Sequence, residues 1–232
     1  MITRPAPGRG GPQHIPTPPG ATIGDPPPWA GAPVERRRPS VADIESALAN
    51  GRPPKTSPLE RVASPGSAVL APIYERDEEP WIILTRRSWE MRSHRGEVSL
   101  PGGRRDPEDL SLWDTALREA HEEIALDPET VRWVGELDHL TTVISRNVIV
   151  PLVGVVDPAP DPSALRPEPG EVDTIIHVPV AELLLDEVYR QERWGIAGVD
   201  RAMHFFDLTT DTVWGATASM LVDLLCRVTV DR

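Results

Sequence analysis

Between Gly102 and Leu126 the chain reads GGRRDPEDLSLWDTALREAHEEIAL. The apolar residues Leu110, Trp113, Leu117, Ala120 and Ile124 recur at helical spacing and predict a helix from about Leu110 to Ile124. On that helix Glu119, Glu122 and Glu123 share one face. Like charges at these spacings each cost an isolated helix roughly 0.2–0.5 kcal/mol. They also lie far from the helix N-terminus, where the dipole would favour anions. An ordinary solvated face can carry such a cluster. A pair of glycines just upstream and Arg118 beside Glu119 instead suggest an oxygen-lined site for a hard divalent cation such as Mg²⁺ or Mn²⁺.

The 232 residues suffice for one sizeable domain with extra segments. The single cysteine, Cys226, excludes an intrachain disulfide and reads as a small core residue in MLVDLLCRV. The start, MITRPAPGRGGPQ, lacks the apolar centre of a signal peptide, and no stretch approaches the roughly 20 apolar residues of a membrane span. These features predict a cytoplasmic protein. A formal net charge of −12 argues against nucleic acid or an anionic membrane as partner. A small phosphorylated substrate is compatible with this charge, and a homodimer is the one protein partner considered. Across Ile82–Asp106 the local sign reverses, with six arginines against three acids.

Residues 1–39 are rich in Pro and Gly and predict a disordered tail, with PPPW as plain linker, so its removal is expected to spare the domain at 40–232. SVADIESALAN predicts a short helix with Ser40 as N-cap, stopped by Gly51 and Pro53–Pro54. SAVLAPIYE and PWIILTRRS read as two strands around the turn RDEEP. VRWVGELDHL, NVIVPLVGVV and TIIHVPV read as further strands. PAPDPSALRPEPGE is a long loop, and PVAELLLDE a short helix. MHFFDLTTDTVWG reads as a late strand or hairpin, and ATASMLVDLLCRV as a closing amphipathic helix. Strands on either side of a crossover helix predict an α/β fold with a mixed sheet between helices.

The pattern GG(x5)D(x8)REAxEEIAL resembles the Nudix box, G-x5-E-x7-R-E-U-x-E-E-x-G-U, where U is a bulky aliphatic. Gly103, Arg118, Glu119, Glu122, Glu123 and Leu126 fall on pattern positions. Asp109 replaces the first Glu, one extra residue precedes Arg118, Ala120 replaces an aliphatic, and Ala125 replaces the terminal Gly. Upstream, ILTRRSWEMRSHRGEVSLPGG resembles the signature of the coenzyme A pyrophosphatase branch. TVWGATASMLVDLL is similar to a helix start common in that branch.

The resemblance implies a Nudix-like α/β/α sandwich, from about Val41 onward. It implies hydrolysis of a nucleoside diphosphate derivative, with coenzyme A or acyl-coenzyme A as substrate and 3′,5′-ADP and (acyl)phosphopantetheine as products. Another dinucleotide such as NADH or ADP-ribose, or a non-catalytic binding module, are the alternative readings. By the same resemblance Glu119, Glu122 and Glu123 hold Mg²⁺ or Mn²⁺, with the Gly103 carbonyl as a further ligand. Arg118 orients Glu119, and Glu119 or Glu171 takes the proton from water. Arg87 and Arg92 are candidates for phosphate contact, since arginine forks match phosphate oxygens. His94 is assigned to substrate positioning within the loop that ends at Gly102 and Gly103. Trp214 reads as core rather than as a stacking platform.

Overall fold

The computed structural model describes residues 5–61, 65–141, 147–196 and 198–230. Its centre is a mixed sheet begun by the hairpin of β2 (Ser67–Arg76) and β3 (Glu79–Arg87), which follow a short first strand, β1 (Thr22–Ile23). Asp77 and Glu78 form the turn at φ 52° and 62°. Two positive φ angles give the turn whose twist matches the paired strands. The hairpin strands pair only from Ile73↔Ile82 to Arg76↔Glu79 and then splay. Into the gap go β4 (Val98–Ser99), paired with β3, and β5 (Gly102–Arg104), paired with β2. The paired glycines are thereby fixed in the sheet itself. Beyond them, β6 (Val131–Glu136) and the short β7 (Leu140–Thr141) pair antiparallel with β8 (Val148–Val156), which runs parallel to β2. On the far side, β9 (Val172–Pro179) lies antiparallel to β3.

The strands are buried on both faces and alternate between two cores. Ala68 and Leu70 of β2 and Ile83 of β3 meet Ala116, Ala120 and Ile124 of helix α2 (Leu112–Ile124). Ala71, Ile73, Ile82 and Leu84 face the other way, toward α1 (Val41–Asn50) and α4 (Gly215–Thr229). Each leucine or isoleucine among them contributes roughly 1.5–3 kcal/mol when removed from water. The α/β/α sandwich is thus the fold of this chain. α1 begins at the expected capping box: Asp43 N–H donates to Ser40 Oγ, and Ser40 N–H to Asp43 Oδ2. No helix among the described residues is long and apolar enough to cross a membrane.

Two features depart from the sequence expectations. First, the expected short helix, α3 (Val180–Leu183), leads into an unexpected strand, β10 (Tyr189–Ile196), and the late hairpin of β11 (Val199–Asp207) and β12 (Thr212–Trp214) joins β10 and β1 in a second, antiparallel sheet. Second, the expectation of a disordered tail is corrected over residues 5–39. Trp29 of the PPPW run is fully buried, stacks on Phe206 with centroids 6.2 Å apart, and donates from Nε1 to Leu184 O at 3.1 Å. Low overall hydrophobicity does not prevent docking when one large ring carries the burial.

Ser111 caps α2 by accepting from Asp114 N–H, so Leu110 precedes the helix and is 91% exposed rather than on its buried stripe. The helix ends at Ala125, which is left-handed at φ 55°, ψ 30°. Its N–H donates to His121 O at 2.8 Å, and the His121 ring meets Leu126 O at 3.1 Å. A left-handed L-residue costs roughly 1–2 kcal/mol, which glycine avoids. Ala125→Gly is therefore expected to stabilise the protein by about 1 kcal/mol, a rise of ~2–4 °C in melting temperature for a chain of this size. A variant that melts lower than the parent would contradict the strained cap.

Candidate active site

The splayed hairpin presses its glycine loop against α2. A Cβ on Gly103 would lie 2.5 Å from the Glu119 carboxylate, so the loop can approach this closely only because residue 103 has no side chain. One turn on, Glu123 is 3% exposed and its Oε2 accepts from Gly102 N–H at 3.3 Å. Two of the three helix acids thus face the two glycines. Glu122 stands at the outer edge, with its side chain 56% exposed.

Arg118 organises this face. Its Nε and Nη2 form a fork on the two oxygens of Asp109, both at 3.0 Å, and Nη2 also donates to Arg104 O at 2.9 Å. The remaining arm, Nη1, reaches Glu119 Oε1 at 3.1 Å and Glu122 Oε2 at 2.9 Å. Forked charge-assisted bonds of this kind fix orientation as well as adding energy. Asp109, noted in the sequence only as a substitution for Glu, is the buried anchor of the arginine. The guanidinium holds the Asp109 carboxyl well below the usual carboxylate range, and Asp109 in turn raises the arginine. Burial pushes Glu119 up against the pull of Arg118. Burial also pushes Glu123 up to about 8, despite the opposing charge of Arg87 and the bond from Gly102.

Glu171 arrives from the long loop, and the end of α2 brings it there. The unpaired terminal carbonyls of a helix need donors. Glu123 O accepts from Glu168 N–H at 2.8 Å and Ile124 O from Arg166 N–H at 3.1 Å. Glu171 O then accepts from Ser88 N–H at 2.8 Å, and its charge is close enough to raise both Glu119 and Glu123.

Beside the acids opens a cavity of about 490 Å³ lined by Arg87, His94, Glu97, Gly102, Gly103 and Trp214, among others. Arg87 Nε is buried without a hydrogen-bond partner. His94 Nδ1 meets Glu97 Oε2 at 2.9 Å. Arg92 is exposed on the same loop and is not among the lining residues. Trp214, expected in the core, is half-buried and forms part of the cavity wall. A larger cavity of about 750 Å³ elsewhere is lined by the ion pairs Arg9–Glu182 and Arg37–Asp186, whose charges are matched to each other.

Among the described residues, no three acidic, histidine or cysteine side chains stand together as a ready-made ion cage. The reason lies in the charges: Arg118 draws Glu122 outward, and Glu123 turns to Gly102 N–H. The donor chemistry nevertheless fits a hard dication, since the acids offer only oxygen and two of them resist ionising without added positive charge.

A buried acid with a raised pKa supports the fold fully below the ordinary carboxylate range. That support is lost as pH rises toward 8, because the unfolded chain ionises first. Glu123→Gln removes the penalty. In metal-free protein the variant's stability gain over the parent is expected to grow by on the order of 2 kcal/mol between pH 5.5 and pH 8, measured by denaturant melts. A difference that stays flat across this range would contradict the buried, ionisation-resistant carboxyl.

The chain matches the NUDIX domain family over residues 64–196, which spans the sheet, α2 and the glycine loop. It is 35% identical over 164 residues to NudL of Photorhabdus laumondii, an uncharacterised Nudix hydrolase, covering 71% of this chain and 85% of that one. It is 34% identical over 178 residues to mitochondrial Nudix hydrolase 15 of Arabidopsis thaliana, covering 73% of this chain and 60% of the plant protein. Among solved structures, a MutT/nudix family protein of Enterococcus faecalis aligns with a TM-score of 0.47 at 15% identity, over 82% of this chain and 70% of that one. The family match, which covers more than half of the chain and takes in α2, and the 35% identity to NudL show that the chain belongs to the Nudix family.

Proposed function

We propose that the protein is a metal-dependent pyrophosphohydrolase that splits coenzyme A or acyl-coenzyme A into 3′,5′-ADP and (acyl)phosphopantetheine. One observation carries the substrate assignment. The two segments that resemble the coenzyme A branch, around Arg87–Ser99 and Trp214–Thr217, lie far apart in sequence yet line the same cavity beside the box acids. A fold-level role for either segment would not require them to meet there.

Glu119, Glu122 and Glu123, with the Gly103 carbonyl, are the residues that would hold Mg²⁺ or Mn²⁺. When bound, the ion supplies charge neutralisation at the pyrophosphate and a lowered pKa for attacking water. The chain's own residues do the rest. Arg118, braced on Asp109, keeps Glu119 aimed at the glycine loop. Arg87, half-buried near Glu123 with its buried Nε–H unspent, offers a donor to a phosphoryl oxygen. Glu119 and Glu171 are the candidates to accept the water proton, both carboxylates lying within each other's field. The half-buried Trp214, backed by the buried Leu100, gives the rest of the substrate an apolar surface.

Incubation of purified protein with coenzyme A and either metal, followed by chromatographic resolution of products, tests the reading. 3′,5′-ADP is expected, with kcat/KM for coenzyme A at least tenfold above NADH and ADP-ribose, a preference of only about 1.4 kcal/mol. Absence of 3′,5′-ADP with both metals, or a clear lead for another dinucleotide, would overturn it.

A further inference from the structure

We propose that Gln13, in the N-terminal segment, is a positioning residue that fixes the two walls of the cavity relative to each other. The proposal rests on that cavity being where substrate sits. Residues 10–13 run along the turn between β11 and β12. Gly10 N–H donates to Leu208 O at 2.6 Å, and Gly11 N–H to Thr212 Oγ1 at 3.3 Å. The approach is so close that a Cβ on Gly11 would lie 2.4 Å from Asp211 Cα and 2.5 Å from Thr210 O.

The segment thereby delivers the Gln13 amide into a buried junction, where Gln13 is 8% exposed. Its Nε2 donates to Gly96 O at 3.1 Å and to Asp211 Oδ1 at 2.6 Å, and its Oε1 accepts from Thr212 N–H at 2.8 Å. Both amide donors and the oxygen are in use. Each contact leads to a wall. Gly96 N–H donates to Arg87 O at 3.2 Å, and Gly96 sits between His94 and Glu97, so it carries the wall that resembles the coenzyme A signature. Thr212 precedes Trp214, Gly215 and Thr217, which line the opposite wall. Asp211, 1% exposed, also takes Arg86 Nη1 on both oxygens at 3.0 and 3.1 Å, next to Arg87. Segments from the start, middle and end of the chain are joined through one side chain. Removing that amide leaves buried polar groups at Gly96 and Thr212 without partners, which loosens the walls rather than the sheet.

The test uses the full-length chain with Gln13→Ala and Gln13→Glu. The second keeps size and the acceptor for Thr212 N–H but loses both donors. In hydrogen-exchange mass spectrometry, peptides covering residues 88–99 and 209–217 are expected to exchange roughly tenfold faster in both variants while β2 and β8 are unchanged. On whichever dinucleotide the parent hydrolyses best, KM is expected to rise roughly tenfold with kcat within twofold. Unchanged exchange in those two segments, or a fall in kcat with KM unaltered, would overturn the role of Gln13. The exchange measurement decides this whether or not coenzyme A is turned over, and a parent inactive on coenzyme A counts against the proposed substrate alone.

Discussion

Arg118 holds both oxygens of Asp109 in a fork and extends its third nitrogen to two of the three box acids. Through its bond to Arg104 O the same side chain ties α2 to the strand that carries Gly103. Without the guanidinium at this position, Glu119 and Glu122 would meet as unfavourable like-charged neighbours on one helix face. Asp109 makes the arrangement possible, because a buried, firmly ionised partner keeps the guanidinium from turning outward with Glu122. Glycine at 103 completes the contact, since the Glu119 carboxylate occupies the space a side chain would need.

The structure carries several local costs near this frame. Glu123 is a carboxyl buried against its tendency to ionise, and Ala125 is a left-handed residue where glycine would be relaxed. Both sit in the last turn of α2, which is also where Glu168 and Arg166 dock and bring Glu171 into place. Local consistency is expected to fail at functional positions while the rest of a sequence agrees with its fold. The strands behave in that way: β2 and β3 alternate cleanly between two cores, with no buried charge on either face of their paired segment.

What was legible in the sequence follows from which signals are periodic. The alternation of β2 and β3 and the Ser40 capping box appeared where expected, and the apolar period of α2 did so from Trp113 onward, after the Ser111 cap excluded Leu110. Strand β10 of the second sheet was not expected, because it is buried through polar groups. Arg190 pairs with Asp207 and Glu192, and Trp194 Nε1 donates to Glu192, so a strand with almost no apolar pattern is nonetheless enclosed. The N-terminal segment misled for the converse reason. Its composition lacks a core, but Trp29 and Gln13 dock individually. Around α2, spacing placed the three acids on one helix face with Arg118 beside them, whereas the bracing of Arg118 by Asp109 depends on how the loop folds back. Glu171 is positioned by backbone carbonyls at the end of α2, which leave no mark in the side-chain sequence.

In the proposed reaction the acids of α2, held in this frame, seat a divalent cation. The most direct measurement is a Mn²⁺ titration of the metal-free protein with free Mn²⁺ followed by electron paramagnetic resonance. Saturable binding is expected in the parent, with affinity weakened by at least about tenfold in Glu119→Gln and in Glu122→Gln while the metal-free variants melt no lower. Absence of saturable uptake, or an affinity untouched by both substitutions, would contradict it.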